Sequence, residues 1–256
     1  MSFINSYRFK PTDPCLPCVV YPIAIPVTTG LLSHVSMYNI CDIFTLNDET
    51  LPLRCVLPTP EDSKCAYFKD LSGNGNDVFD FSTPPSAVRS FRYKTSAGIF
   101  GDSLASANIR PGFRVVNSWR WNNQVKTIIF LCQVDNVASG LNTRFQQGQF
   151  TIRFNSSNLS VSDGAVRNSA LAGTSNTWHI VSCRTNNNIV LGLDKSYQNV
   201  KATAPTVANV DFQPFSTGNP ANRFTGKFRE MIIFSGSLTD AQVDDISDWL
   251  TLKWGL

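Results

Sequence analysis

Residues 117–124 read Asn-Ser-Trp-Arg-Trp-Asn-Asn-Gln. Trp119 and Trp121 are two apart, so an extended backbone aims both indoles the same way. Aromatic faces beside the amides of Asn122 and Asn123 make a surface on which a sugar ring can stack and be hydrogen-bonded. The alternative is that both indoles are core, because tryptophan is usually highly buried. A second polar group, Asn142, Arg144, Gln146 and Gln147, reads as a loop with the same donors and acceptors. Asp70, Asn74, Asn76 and Asp77 crowd side-chain oxygens into one turn. Calcium takes such oxygens, as does a turn closed by Asx hydrogen bonds.

Other chemistries lack their residues. A retaining glycosidase needs two carboxyl groups about 5 Å apart. The chain has three glutamates, Glu49, Glu61 and Glu230, and they are scattered. Asp244 and Asp245 are adjacent on a helix and do not share a face. The two histidines, His34 and His179, stand in different segments, and no Gly-x-Ser-x-Gly elbow occurs. Gly73 and Gly75 lack the third glycine and following helix of a phosphate loop. Cys15-Leu16-Pro17-Cys18 has the spacing of half a zinc site, but Cys41, Cys55 and Cys65 provide no second pair. Seven cysteines and no readable signal peptide argue against a disulfide framework. Cys132 and Cys183, inside apolar runs, read as buried thiols.

The elements that position these residues are mostly strands. Residues 127–134 are nearly all apolar, as in a strand buried on both faces. Phe150, Ile152 and Phe154 alternate with Thr151 and Arg153, which predicts a half-buried strand. Residues 178–183 and 189–193 form a predicted hairpin, and residues 227–234 a last buried strand. One helix follows. Thr239 and Gln242 have capping-box spacing, Val243, Ile246, Trp249 and Leu250 form its apolar stripe, and Gly255 suits a left-handed C-cap.

Composition agrees with a β-rich globular chain of 256 residues, 42% hydrophobic and 16% charged. Sandwiches reach this length as one domain. The net charge is +3 without a basic run, so nucleic acid is not an expected partner. No window has the length of a membrane span. Residues 1–64 differ from the rest and hold eight of the fourteen prolines. Proline at that density opposes helix interiors and central strands. They read as an extended arm that gains order by lying on its own domain or on a neighbouring subunit. The alternative is an N-terminal strand with long loops belonging to the main domain.

Three features together resemble one family. They are the turn at Asp70–Asn76, the Trp-led hairpin at Trp178–Asp194, and the closing Phe224–Leu256 with Gly226, Glu230, Leu238 and Lys253-Trp254-Gly255. The chain from 65 to 256 is similar to the concanavalin A-like lectin/glucanase superfamily, in its laminin-G-like branch. The resemblance implies an all-β fold, a jelly-roll sandwich of two antiparallel sheets with the C-terminal helix packed at one edge, preceded by the Pro-rich arm at 1–64. Members occur in bacterial surface proteins and in bacteriophage virion proteins. The expectation is therefore a non-enzymatic bacteriophage virion protein (fibre, decoration or adhesin). Its arm would attach to other virion proteins, its sandwich would be displayed as a homo-oligomer, and a host-surface glycan is a candidate partner. The alternatives are a lectin module whose main role is glycan binding, and a polysaccharide hydrolase. No cofactor is expected beyond the calcium that the Asp70–Asp77 turn would take. The candidate carbohydrate site is Trp119, Trp121, Asn122, Asn123 and Arg144.

Overall fold

A computed structural model describes residues 24–38, 42–44, 64–65, 67–80, 91–94, 98–101, 113–115, 120–121, 126–137, 143–145, 150–205, 210–214 and 226–256. In chain order its strands begin with β1 (Leu31–Ser36), β2 (Ile43–Phe44), β3 (Lys64–Cys65), β4 (Tyr67–Phe68), β5 (Val78–Asp80), β6 (Phe91–Lys94) and β7 (Gly98–Gly101). They continue with β8 (Phe113–Val115), β9 (Arg120–Trp121), β10 (Lys126–Val134), β11 (Thr143–Phe145), β12 (Phe150–Asn155) and β13 (Asn158–Asp163). The last are β14 (Val166–Ala172), β15 (Trp178–Thr185), β16 (Ile189–Leu193), β17 (Ser196–Lys201), β18 (Val210–Pro214) and β19 (Gly226–Phe234), followed by helix α1 (Asp240–Trp254).

Every strand pairing among the described residues is antiparallel. The principal sheet has nine strands in the order β17-β16-β15-β10-β19-β7-β6-β3, with β1 also paired to β19. The second layer consists of a six-stranded piece, β14-β13-β12-β11-β18-β9, and a four-stranded piece, β2-β4-β5-β8. Both pieces face the principal sheet across one core. That core joins Ile128, Phe130, Val181 and Ile233 to Phe150, Ile152 and Phe154 of the six-stranded piece and to Ile43, Phe68 and Val78 of the four-stranded piece. The result is the expected all-β sandwich of two antiparallel layers with one C-terminal helix.

The central strands β10 and β19 are apolar on both faces, and this dictates where the helix goes. Ile128, Phe130 and Cys132 point into the sandwich, while Ile129 and Leu131 point away from it. The outward residues join Ile180, Ile232 and Phe234 under Val243, Ile246, Trp249 and Leu250 of α1. The helix therefore covers the outer face of the principal sheet at its middle, not an edge as the resemblance implied. Leaving that apolar stripe in water would cost about 25 cal/mol for each Å² exposed. The caps are those read from the sequence. Thr239 and Gln242 make a reciprocal capping box, and Gly255 ends the helix at φ 61°, ψ 46°.

One boundary moves. Residues 31–36, expected in the arm, form β1, which pairs with β19 from Leu31↔Phe234 to Ser36↔Glu230. No proline occurs between Pro26 and Pro52, so this stretch keeps the N–H groups that a ladder needs. Residues 1–23, 39–41 and 45–63, with Cys15, Cys18, Cys41 and Cys55, lie outside the described residues.

Candidate functional site

Three places bring polar side chains together. The first is the turn at residues 70–77. Asp70 Oδ1 accepts from the backbone N–H of His34 (2.9 Å) and of Ser72 (3.0 Å). Its Oδ2 accepts from Ser72 Oγ (2.7 Å) and Asn76 N–H (3.0 Å). Asp77 accepts from Asp70 N–H (2.6 Å) and from the Tyr67 hydroxyl. Asn74 Nδ2 donates to Leu31 O (2.8 Å), and Asn76 Nδ2 to Leu32 O (2.7 Å). All four residues read as a cluster from the sequence do come together. Their carboxylates face N–H and O–H donors, and their amides tie the turn to β1. This is an Asx-stabilised turn that docks one strand.

The second is the outward face of the six-stranded piece. On β12, Phe150, Ile152 and Phe154 are buried and Thr151, Arg153 and Asn155 are half-buried, so alternation assigns the second set to the outside. The register carries that face across the sheet. Thr151 is opposite Ser162 on β13 and position 144 on β11, and position 144 is opposite position 213 on β18. Position 120 on β9 is opposite Asp211. Along the edge strand β14, Val166, Asn168, Ala170 and Ala172 are exposed. Arg153 Nε is buried and has no hydrogen-bond partner.

The register also separates two residues that the sequence grouped. Position 144 on β11 is in register with Thr151 and position 213, whereas position 121 on β9 is in register with Val210. Residues 143–145 are a strand, not the loop expected there, because both neighbours β12 and β18 pair with them. Trp119, Asn122 and Asn123 lie outside the described residues.

The third is a buried carboxylate beneath the C-terminal end of α1. Glu230 is fully buried. Its Oε1 accepts from Ser36 Oγ (2.7 Å), Lys253 Nζ (2.5 Å) and Trp254 Nε1 (2.9 Å), and its Oε2 from His34 Nε2 (2.8 Å). Burial alone would push this carboxyl up. The His34 hydrogen bond and the Lys253 charge outweigh it and hold the group below the ordinary carboxylate range. Around the cluster, Arg229 lies 4.0 Å from the Trp178 ring and 4.6 Å from the Trp254 ring. Lys253 stands 4.7 Å from Trp249.

Chain geometry explains how Glu230 reaches this place. In the β10–β19 pairing, Leu131 is opposite Glu230 but Cys132 is opposite Phe228, so Arg229 is an extra residue in β19. Such a bulge reverses the alternation of side chains. Phe228 faces the inner core, and Glu230 faces out toward α1. The sequence signal was a lone acid inside an apolar strand. What it lacked was the partner list, because His34, Ser36 and Lys253 are 196, 194 and 23 residues away.

His179 makes a smaller pair. Its Nδ1 is 2.6 Å from Asp194 Oδ2, and its Nε2 is 2.9 Å from the Thr174 backbone N and 3.1 Å from the Thr174 carbonyl O, which accepts from Nε2 when the ring is protonated. Asp194 Oδ1 also accepts from Ile180 N–H (2.8 Å), so the dyad fastens the Trp-led hairpin. Cys132 and Cys183 are buried, and burial pushes the Cys183 thiol up to about 12. Both thiols are packing groups.

No family model matches the chain, and no curated protein matches it. Solved structures do. The binding domain of Paraclostridial mosquitocidal protein 1 superposes with a TM-score of 0.55 and 13% identity, over 86% of this chain and 52% of that one. A Trypanosoma rangeli sialidase solved with sialic acid gives 0.53 and 10% identity, over 93% of this chain and 36% of that one. Domain 4 of an extracellular arabinanase from Geobacillus stearothermophilus, solved with arabinotriose, gives 0.50 and 11% identity, over 85% and 98%. This chain thus spans about half of the toxin binding domain and about a third of the sialidase. At these identities the likeness shows the fold alone, a β-sandwich.

Proposed function

We propose that this chain is a non-enzymatic glycan-binding β-sandwich of the laminin-G-like branch, displayed on a bacteriophage particle. The observation that carries the binding part is an asymmetry between the two outer faces. The principal sheet is covered at the middle of its outside by α1. The six-stranded piece turns hydroxyl, amide and guanidinium residues outward: Thr151, Arg153, Asn155, Ser162 and Asn168. Hydroxyl-rich ligands are held by such groups. The toxin binding domain and the arabinotriose-bound domain share this fold, which supports the reading by analogy.

A glycan array probed with the wild type, Arg153→Ala and Trp121→Ala tests it. Binding that is lost in folded Arg153→Ala and kept in folded Trp121→Ala places the ligand on the outward face. No binding by the wild type to any glycan sinks the proposal. The virion part rests on the Pro-rich segment at the N-terminus and on the resemblance. Its test is deletion of residues 1–23, which precede every described element. Unchanged incorporation into particles would remove the anchoring role.

A further inference from the structure

We propose that His179 is a proton-operated latch on residues 173–177, the strap that ties the two layers of the sandwich together beside the Trp-led hairpin. The strap follows β14 directly and leads into β15. Gly173 N–H donates to Ser157 O (2.9 Å), in the turn between β12 and β13 of the six-stranded piece. Asn176 N–H donates to Val134 O (2.8 Å), at the end of β10 in the principal sheet. Gln133 Nε2 donates to Asn176 O (2.6 Å), and Val137 N–H to Ser175 Oγ (3.3 Å). Gly173 also sits against Phe154, where a Cβ would lie 2.4 Å from the ring. The His179 side chain is buried, with its ring 6.1 Å from that of Phe154.

The latch is one ring nitrogen within reach of both polar ends of one residue. Nε2 is 2.9 Å from Thr174 N and 3.1 Å from Thr174 O, and it can serve only one of them at a time. Nδ1 faces Asp194 Oδ2 at 2.6 Å, and a carboxylate oxygen only accepts, so Nδ1 keeps its hydrogen in both charge states. In the neutral ring Nε2 is then bare and accepts from Thr174 N–H. In the charged ring Nε2–H donates to Thr174 O, and the Thr174 N–H is released. Thr174 is exposed, so water takes whichever end the ring lets go. Among the described residues, the ionisable groups that face the ring are Asp194, between β16 and β17, and Cys132, opposite it on β10. Burial pushes the Cys132 thiol up, so it stays neutral. The strap itself has no ionisable residue, and β12 presents Phe154. Lys195, next to Asp194, is bound to Asp248, and Asp135, next to Val134, is exposed. Burial opposes a charge on His179, but the Asp194 hydrogen bond and charge outweigh it, so the swap falls above the ordinary histidine value of about 6.5. Acidification through that range moves the ring from a hold on the N–H of Thr174 to a hold on its carbonyl, which makes the strap a joint with two settings.

The test is nuclear magnetic resonance on the full isotope-labelled chain across pH 5–9. The His179 ring nitrogens are expected to titrate above about pH 6.5, with Nε2 the bare nitrogen of the neutral form. Through the same midpoint the Thr174 amide should exchange with water about five-fold faster in the charged form, relative to its intrinsic rate, which is the worth of one ordinary hydrogen bond. The Gly173 and Asn176 amides, held by Ser157 and Val134, should not respond. Asp194→Asn should carry the ring titration and the Thr174 response to lower pH together. His179→Gln does not titrate and should leave Thr174 exchange flat; if it does not fold, the wild-type titration and Asp194→Asn decide. A Thr174 amide that ignores the ring titration overturns the proposal, as does a neutral ring protonated at Nε2, or an Asp194→Asn chain in which one midpoint moves without the other. Equal acceleration at Gly173, Thr174 and Asn176 is a general loosening of the strap and overturns it as well.

Discussion

Replacing Glu230 by Gln changes a few atoms and should remove a large part of the stability of this fold. The side chain keeps its length and shape. What disappears is the charge that balances Lys253, whose side chain is only 3% exposed. Breaking a buried ion pair by removing one partner costs about 3–5 kcal/mol, because the other charge is left in a low dielectric. Two features of the site bear on where in that range the loss falls. Lys253 keeps ring contacts with Trp249 at 4.7 Å and Tyr38 at 5.3 Å, and the charge of Asp42 acts on it too. An amide also offers one oxygen where the carboxylate offered two. Three donors converge on Oε1 and His34 donates to Oε2, so an amide oxygen at the first position leaves its NH₂ facing His34. Urea unfolding followed by tryptophan fluorescence at pH 7 measures the effect through a shift in midpoint at constant slope. A domain has about 5–15 kcal/mol in total, so the shift is easily seen. The double variant Glu230→Gln/Lys253→Met removes both charges and should cost less than the two single losses added, by about 2 kcal/mol. A single loss under about 1 kcal/mol, or additive losses in the double variant, would refute the account of Glu230 as a paired charge.

Titration should show two limbs. The Glu230 carboxyl is held low in the folded protein, so its contribution is complete above the unfolded carboxylate value and is lost as pH falls through the lower folded one. Burial opposes protonation of His179, but the Asp194 hydrogen bond outweighs it and raises the group. That contribution is complete below the unfolded histidine value and fades as pH rises through the folded one, so His179→Gln should flatten the curve above about pH 6.5. Thermal melts across pH 3–9 check both limbs, and an acid limb unaltered in Glu230→Gln would contradict the first. Gly226→Ala should cost about 3 kcal/mol in urea unfolding. A Cβ there lies 2.0 Å from the Gln133 carbonyl oxygen at φ 151°. Gly236→Ala, which meets nothing within 4 Å, is the control, and equal effects at both positions would rule out the steric argument.

Much of the architecture was legible one segment at a time. Residues 127–134 carry apolar side chains in succession, and a strand with that pattern must be covered on both faces, as β10 is. Phe150, Ile152 and Phe154 alternate with polar residues, and they face the core in the structure. The caps at Thr239 and Gly255 are local hydrogen-bonding patterns, so they could be read without any neighbour. The turn from Asp70 to Asp77 was also visible. Its partner was not, since the strand it docks against is some forty residues earlier.

The candidate site was less legible, and the reason is register. Composition places tryptophan, arginine and amides near one another in the sequence, but which face each occupies depends on strand pairings made across long loops. Positions 144 and 121 both neighbour β18, but they meet it at different register positions, 213 and 210. Arg153 passed as a polar position in an alternating strand. Its buried Nε and its neighbourhood with position 144 appear only once β12 pairs with β11.

The amino-acid sequence alone therefore determined strands β10, β12 and β19, the hairpin at Trp178–Asp194 and the capped helix, because each depends on periodicity or on hydrogen bonds within a few residues. Tertiary structure decided that β1 belongs to the sandwich, that α1 covers the middle of the principal sheet, and that Glu230 meets His34, Ser36 and Lys253. One extra residue, Arg229, turned Glu230 to the helix side. A bulge exists only in a pair of strands, so no reading of β19 by itself could have found it.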